Sequence, residues 1–103
     1  MNTEIVKEIR LSQNNELFLI VEGNGSSSYQ YIYREAKGVY WDVNLKAFKS
    51  TPITDWSIFE WVNHIRNLVQ ECLGLNLIFS KNLNFINIPK NQQLIIQDKF
   101  DII

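Results

Sequence analysis

One histidine, one cysteine and eleven carboxylates are the side chains here with the chemistry to run a reaction. His64 follows Glu60 by four residues. On a helix that spacing stacks the two side chains, and a carboxylate beside an imidazole is the start of a general base or a metal site. A metal site needs three or four ligands, and no second His or Cys lies nearby in sequence. The pair therefore reads better as part of a solvated helix face. Cys72 stands eight residues beyond His64, which on a helix is about 12 Å along the axis and about 80° around it. A Cys–His nucleophile does not assemble at that spacing, and Cys72 reads as a small apolar residue. GNGSSS (23–28) has the composition of a phosphate loop. It lacks the third glycine of a dinucleotide fingerprint and the Lys-Ser/Thr of a P-loop. It also leads toward a strand, so it reads as a plain connection.

The segment YQYIYREAKGVYW (29–41) is richer. It holds all four tyrosines and one of three tryptophans. Lys37-Gly38 has the composition of a two-residue hairpin turn. Alternation about that turn puts Ile32, Arg34, Trp41, Val43 and Leu45 on one face. Tyr31, Tyr33, Glu35, Tyr40, Asp42 and Asn44 take the other. The first is the better core face, with Arg34 over the Trp41 ring. The second is a tyrosine-and-carboxylate face, and Tyr31, Tyr33, Glu35, Tyr40 and Asp42 are the candidate binding residues. Glu35 and Asp42 would need desolvation to act as an acid/base pair, and an exposed hairpin does not supply it.

These residues need a scaffold. TEIVKEIRL (3–11) and ELFLIVE (16–22) read as two strands joined by a turn at SQNN. After Pro52, residues 54–74 show the clearest pattern in the chain. Ile58, Phe59, Trp61, Val62, Ile65, Leu68, Val69, Cys72 and Leu73 fall in one arc of a helical projection, interrupted only by Arg66. Thr54 or Ser57 can cap its start, Ser57 with Glu60 as a capping box, and Gly74 suits its end. LNLIFS (75–80), FINI (85–88) and LIIQ (94–97) read as strands separated by turns at KNLN and KNQQ. The tail ends on Ile102 and Ile103, expected to pack in the core or against a neighbouring subunit. The expected fold is one α+β domain over residues 1–103: a mainly antiparallel sheet of about six strands against one amphipathic helix.

Composition narrows the partners. The net charge is −1, with ten basic residues scattered singly. That argues against nucleic acid and against an anionic membrane surface. No apolar run reaches the length of a membrane span, roughly 18 residues, and MNTEIVKEIR is not a signal peptide. A cytoplasmic protein is expected, with no cofactor and no metal.

YIYREAKGVYWD, DWSIFEW and FINIP sit in a chain whose layout resembles the small bacterial proteins carried on integron gene cassettes. The resemblance covers layout and implies a compact α+β domain, possibly a homodimer, without transferring any functional residue. Toxin-immunity proteins are similar in size, though often more acidic. The function expected from the residues is a non-catalytic interaction module that binds itself or a protein partner. The alternatives are a small-molecule binder, with Trp41, Trp61, Phe59 and Phe79 lining a pocket between sheet and helix, and an immunity-type inhibitor.

Overall fold

Ser12 and Asn15 close the first hairpin. The Ser12 amide donates to the Glu16 carbonyl at 2.9 Å and the Asn15 amide to the Ser12 carbonyl at 3.0 Å. Asn15 takes φ of 65°, a left-handed conformation that Asn tolerates better than most residues. The turn joins β1 (Asn2–Leu11) to β2 (Leu17–Val21) with Ile9 opposite Leu19, the hairpin expected from the alternation. In the computed structural model, residues 2–100 are described; the expectation for Ile102 and Ile103 lies outside them.

After β2 the chain departs from expectation. Residues Ser27–Glu35 form a 3-10 helix, not a strand. The segment carries two periods at once. Tyr29, Tyr31 and Tyr33 alternate, but Tyr29 and Ile32 repeat every three residues, which is the 3-10 repeat. Burial selects the second: Tyr29 and Ile32 are inside, while Tyr31 and Tyr33 are not. Ser26 caps its start, and Ala36 ends it at φ 54°. The hairpin expected at Lys37-Gly38 is replaced by one further on, between β3 (Val39–Asp42) and β4 (Ala47–Ser50). Asp42 makes that turn, accepting the amides of Asn44 and Leu45 at 2.9 and 3.0 Å.

Helix α1 (Ile58–Leu73) forms where its pattern places it. Ser57 and Glu60 make a full capping box, and Gly74 ends the helix at φ 62°. Strand β5 (Leu75–Ile86) then runs unbroken through the expected KNLN turn. Its pairing with β1 skips from Phe79 to Asn84 while β1 advances only from Val6 to Glu8. The polar run is thus a bulge in a continuing strand rather than a reversal. LIIQ lies within α2 (Lys90–Lys99), not a strand. Pro89 opens α2, and Ile96 is the one residue of the Leu94-Ile95-Ile96 run that is buried.

The result is an α+β fold whose sheet has five strands in the order β3-β4-β2-β1-β5. It is mixed rather than mainly antiparallel, because β1 and β5 run parallel. Among the described residues three helices accompany it, not one. Leu17, Leu19, Phe48, Leu77 and Phe79 share one core with α1, with Ile32 of the 3-10 helix, and with Ile96 of α2. Alternation turns Phe18, Ile20 and Ala47 to the opposite, helix-free face, where they make a second small cluster. Lys49 shields it, lying 5.7 Å from the Phe18 ring and 3.5 Å from the Glu16 carboxylate. Its stem covers apolar surface while its charge stays wet.

Candidate functional site

Tyr29 anchors the 3-10 helix. Its ring meets Trp41 edge-on at 5.1 Å and Phe48 at 5.4 Å, and Trp41 and Phe48 lie 4.8 Å apart. Its hydroxyl donates to the Glu4 carboxylate at 2.8 Å. Burial, with the Glu4 charge beside it, pushes the Tyr29 phenol up to about 12, since both disfavour a phenolate. With that side of the helix inside, the other side faces out. Tyr31 is 45% exposed and Tyr33 53%. Arg34 does not reach Trp41; its guanidinium lies 4.3 Å from the centre of the Tyr31 ring, one 3-10 turn earlier.

The five candidate residues therefore do not share one face. Tyr31 and Tyr33 project from the 3-10 helix. Tyr40, 41% exposed, belongs to β3 and pairs with Lys49 on the helix-free side of the sheet. Asp42 is engaged in its turn. Glu35 ends the 3-10 helix near Cys72, whose thiol is pushed up by burial and by the Glu35 carboxylate. A thiol so placed is protonated and a poor nucleophile. Of the expected core face, Ile32 is buried, Trp41 is half-buried, and Val43 and Leu45 are exposed in the turn.

Glu60 and His64 do not meet as a pair. The Glu60 carboxylate turns back to accept the Ser57 amide at 2.9 Å. His64 Nε2 lies 3.0 Å from the Lys37 carbonyl. A carbonyl only accepts, so that nitrogen carries the proton. The imidazole packs against Trp56 at 5.0 Å and Trp61 at 5.4 Å. It joins α1 to the turn after the 3-10 helix, where Gly38 takes φ of 78° and a Cβ would stand 3.1 Å from the Thr51 hydroxyl and 3.2 Å from the Trp61 ring.

The four rings proposed to line one pocket go to three places. Phe59 and Phe79 both stack on Phe100, Trp41 joins Tyr29 and Phe48, and Trp61 joins Trp56 and His64. Arg66, the one charge in the apolar arc of α1, reaches the sheet edge. Its Nε donates to the Leu77 carbonyl of β5 at 3.3 Å, and its guanidinium lies 5.6 Å from the Phe100 ring. An edge carbonyl covered this way is not offered to another strand.

A cleft of about 440 Å³ went unnoticed in the sequence. It lies between residues 24–27, Gln30, Trp41 and Val43. Its parts come from a loop, a helix and a strand, and only Gly25, packed on the Trp41 indole, hints at it.

A search of solved structures finds a similar protein, an integron cassette protein, Hfx_Cass5, from the mobile metagenome of the North West Arm sewage outfall. It is 26% identical, with 95% of each chain covered and a TM-score of 0.43. This is the class of protein that the sequence resembles. No protein-family model matches the chain, and no curated protein matches it. No described helix is long and apolar enough to cross a membrane.

Proposed function

We propose that the chain is a non-catalytic interaction module that pairs with a second copy of itself through the outer side of the 3-10 helix. One observation carries the reading: Tyr31 and Tyr33 stay about half exposed on a helix whose other side is locked into the core. Tyrosine and arginine dominate the energetic centres of protein interfaces, because they bury large area and still hydrogen-bond. Arg34 rests on Tyr31, and side chains already in contact lose less entropy on docking. A two-fold interface sets residue i against j and j against i, so the Arg34 guanidinium of each copy would meet a tyrosine ring of the other.

Sedimentation over a concentration series tests this. The native chain is expected to dimerise, and the double variant Tyr31→Ser, Tyr33→Ser to remain monomeric with an unchanged circular dichroism spectrum. A native chain that stays monomeric at the highest attainable concentration overturns the reading.

A further inference from the structure

The cleft beside Trp41 is a separate site with its own chemistry. Asn24, Gly25, Ser26, Ser27 and Gln30 line it together with Trp41 and Val43. Its volume of about 440 Å³ falls within the roughly 300–1,000 Å³ usual for ligand clefts. No described residue that lines it carries a charge, so that lining offers no counter-charge to an ion, and a charged ligand would lose hydration there without compensation. What it offers is the Trp41 indole, the Val43 side chain and a set of neutral hydrogen-bonding groups. The amides of Asn24 and Gln30 each bring donors and an acceptor, and the Ser27 hydroxyl brings both.

The ring is fixed before any ligand arrives. Tyr29 meets it at 85°, and Phe48 lies 4.8 Å from it on the adjacent strand. The backbone of Gly25 closes a third side: a Cβ there would stand 2.5 Å from the indole Cζ2, and φ at Gly25 is 78°. A side chain at 25 would be strained and would displace the ring. The glycine in GNGSSS thus serves an aromatic platform and not a phosphate.

We propose that this cleft binds a neutral sugar. An aromatic face is electron-rich, and the axial C–H groups of a pyranose carry partial positive charge, so a sugar ring lies flat on an indole. Its hydroxyls then meet Asn24, Ser27 and Gln30 around the rim. A nucleobase fits less well, because no second ring stands opposite Trp41 to sandwich it, and the polar groups outnumber the aromatic ones.

The test is a titration of the full chain, followed by amide and indole N–H chemical shifts, with glucose, galactose and N-acetylglucosamine as probes and adenosine and uridine as controls. At least one sugar is expected to saturate, with shifts confined to residues 24–27, Gln30 and the Trp41 indole. Asn24→Ala and Gln30→Ala, both on exposed loop or helix surface, should each weaken it about tenfold, the loss of one hydrogen bond. Gly25→Ala should abolish it. The Tyr31→Ser, Tyr33→Ser variant should bind sugar normally, which separates this site from the pairing surface. Saturation by a nucleoside alone, absence of saturation by all three sugars, or sugar shifts indifferent to Asn24→Ala and Gln30→Ala would each overturn the proposal.

Discussion

Two aromatic trios in this molecule have nearly the same internal geometry and different positions. Tyr29, Trp41 and Phe48 meet at 4.8 to 5.4 Å on the helix-covered side of the sheet. Trp56, Trp61 and His64 meet at 5.0 to 5.4 Å over the first turns of α1. Phe48 is fully buried and Tyr29 nearly so, whereas Trp56 is 45% exposed. Ring-to-ring contact adds only about 0.5–1.5 kcal/mol beyond the area buried. Water exclusion, not ring spacing, should therefore set the energetic difference between them. The first trio holds the 3-10 helix on the sheet. The second fastens a turn to α1 at the surface.

The largest test of that difference is Phe48→Ala. It should cost about 3–5 kcal/mol, as a fully buried aromatic does, measured by urea unfolding. A loss below about 1 kcal/mol would erase the distinction between the trios. Tyr29→Phe comes next, at about 1.5 kcal/mol for a hydrogen bond to a charged acceptor. It also has a pH signature. The folded-state value of Tyr29, about 12, lies above the ordinary 10.0. The neutral phenol's contribution is therefore complete below pH 10 and is lost as pH rises through 12. Alkaline unfolding should show this decline in the native chain and less of it in Tyr29→Phe; identical profiles would remove the Glu4 contact from the account. The smallest effect belongs to Trp56→Ala, about 0.5 kcal/mol, because its ring is already half in water. A cost rivalling that of Phe48→Ala would mean the surface trio carries the fold.

The elements that could be read from the sequence are those whose partners are local. The β1–β2 hairpin follows from alternation and a four-residue turn, and α1 from a one-sided arc with Ser57, Glu60 and Gly74 at its ends. The 3-10 helix is not legible in the sequence because Tyr29, Tyr31 and Tyr33 satisfy a two-residue period as well as Tyr29 and Ile32 satisfy a three-residue one. Contacts distant in sequence decide between them: the Tyr29 hydroxyl bonds Glu4, twenty-five residues away, and its ring packs on Trp41 and Phe48. LIIQ failed for the same reason. A short apolar run fits strand or helix, and here Gln92, which accepts the Phe59 amide at 2.9 Å, ties it to the start of α1 as a helix. The division of Tyr31, Tyr33 and Tyr40 between two surfaces is not legible in the sequence, because it depends on that same period. The cleft beside Trp41 leaves little trace in the sequence: Asn24 and Trp41 become neighbours only once the helix between them is in place.

The parallel pairing of β1 with β5 has a consequence for how the molecule is made. Ile9 aligns with Phe85, so on the ribosome the first hairpin must wait for nearly the whole chain before β1 gains its second neighbour. Contacts this distant slow folding. In the interval one full side of β1 offers its amides and carbonyls to any extended segment it encounters. Crowded synthesis, more than heat, is the circumstance in which copies of this chain would exchange strands.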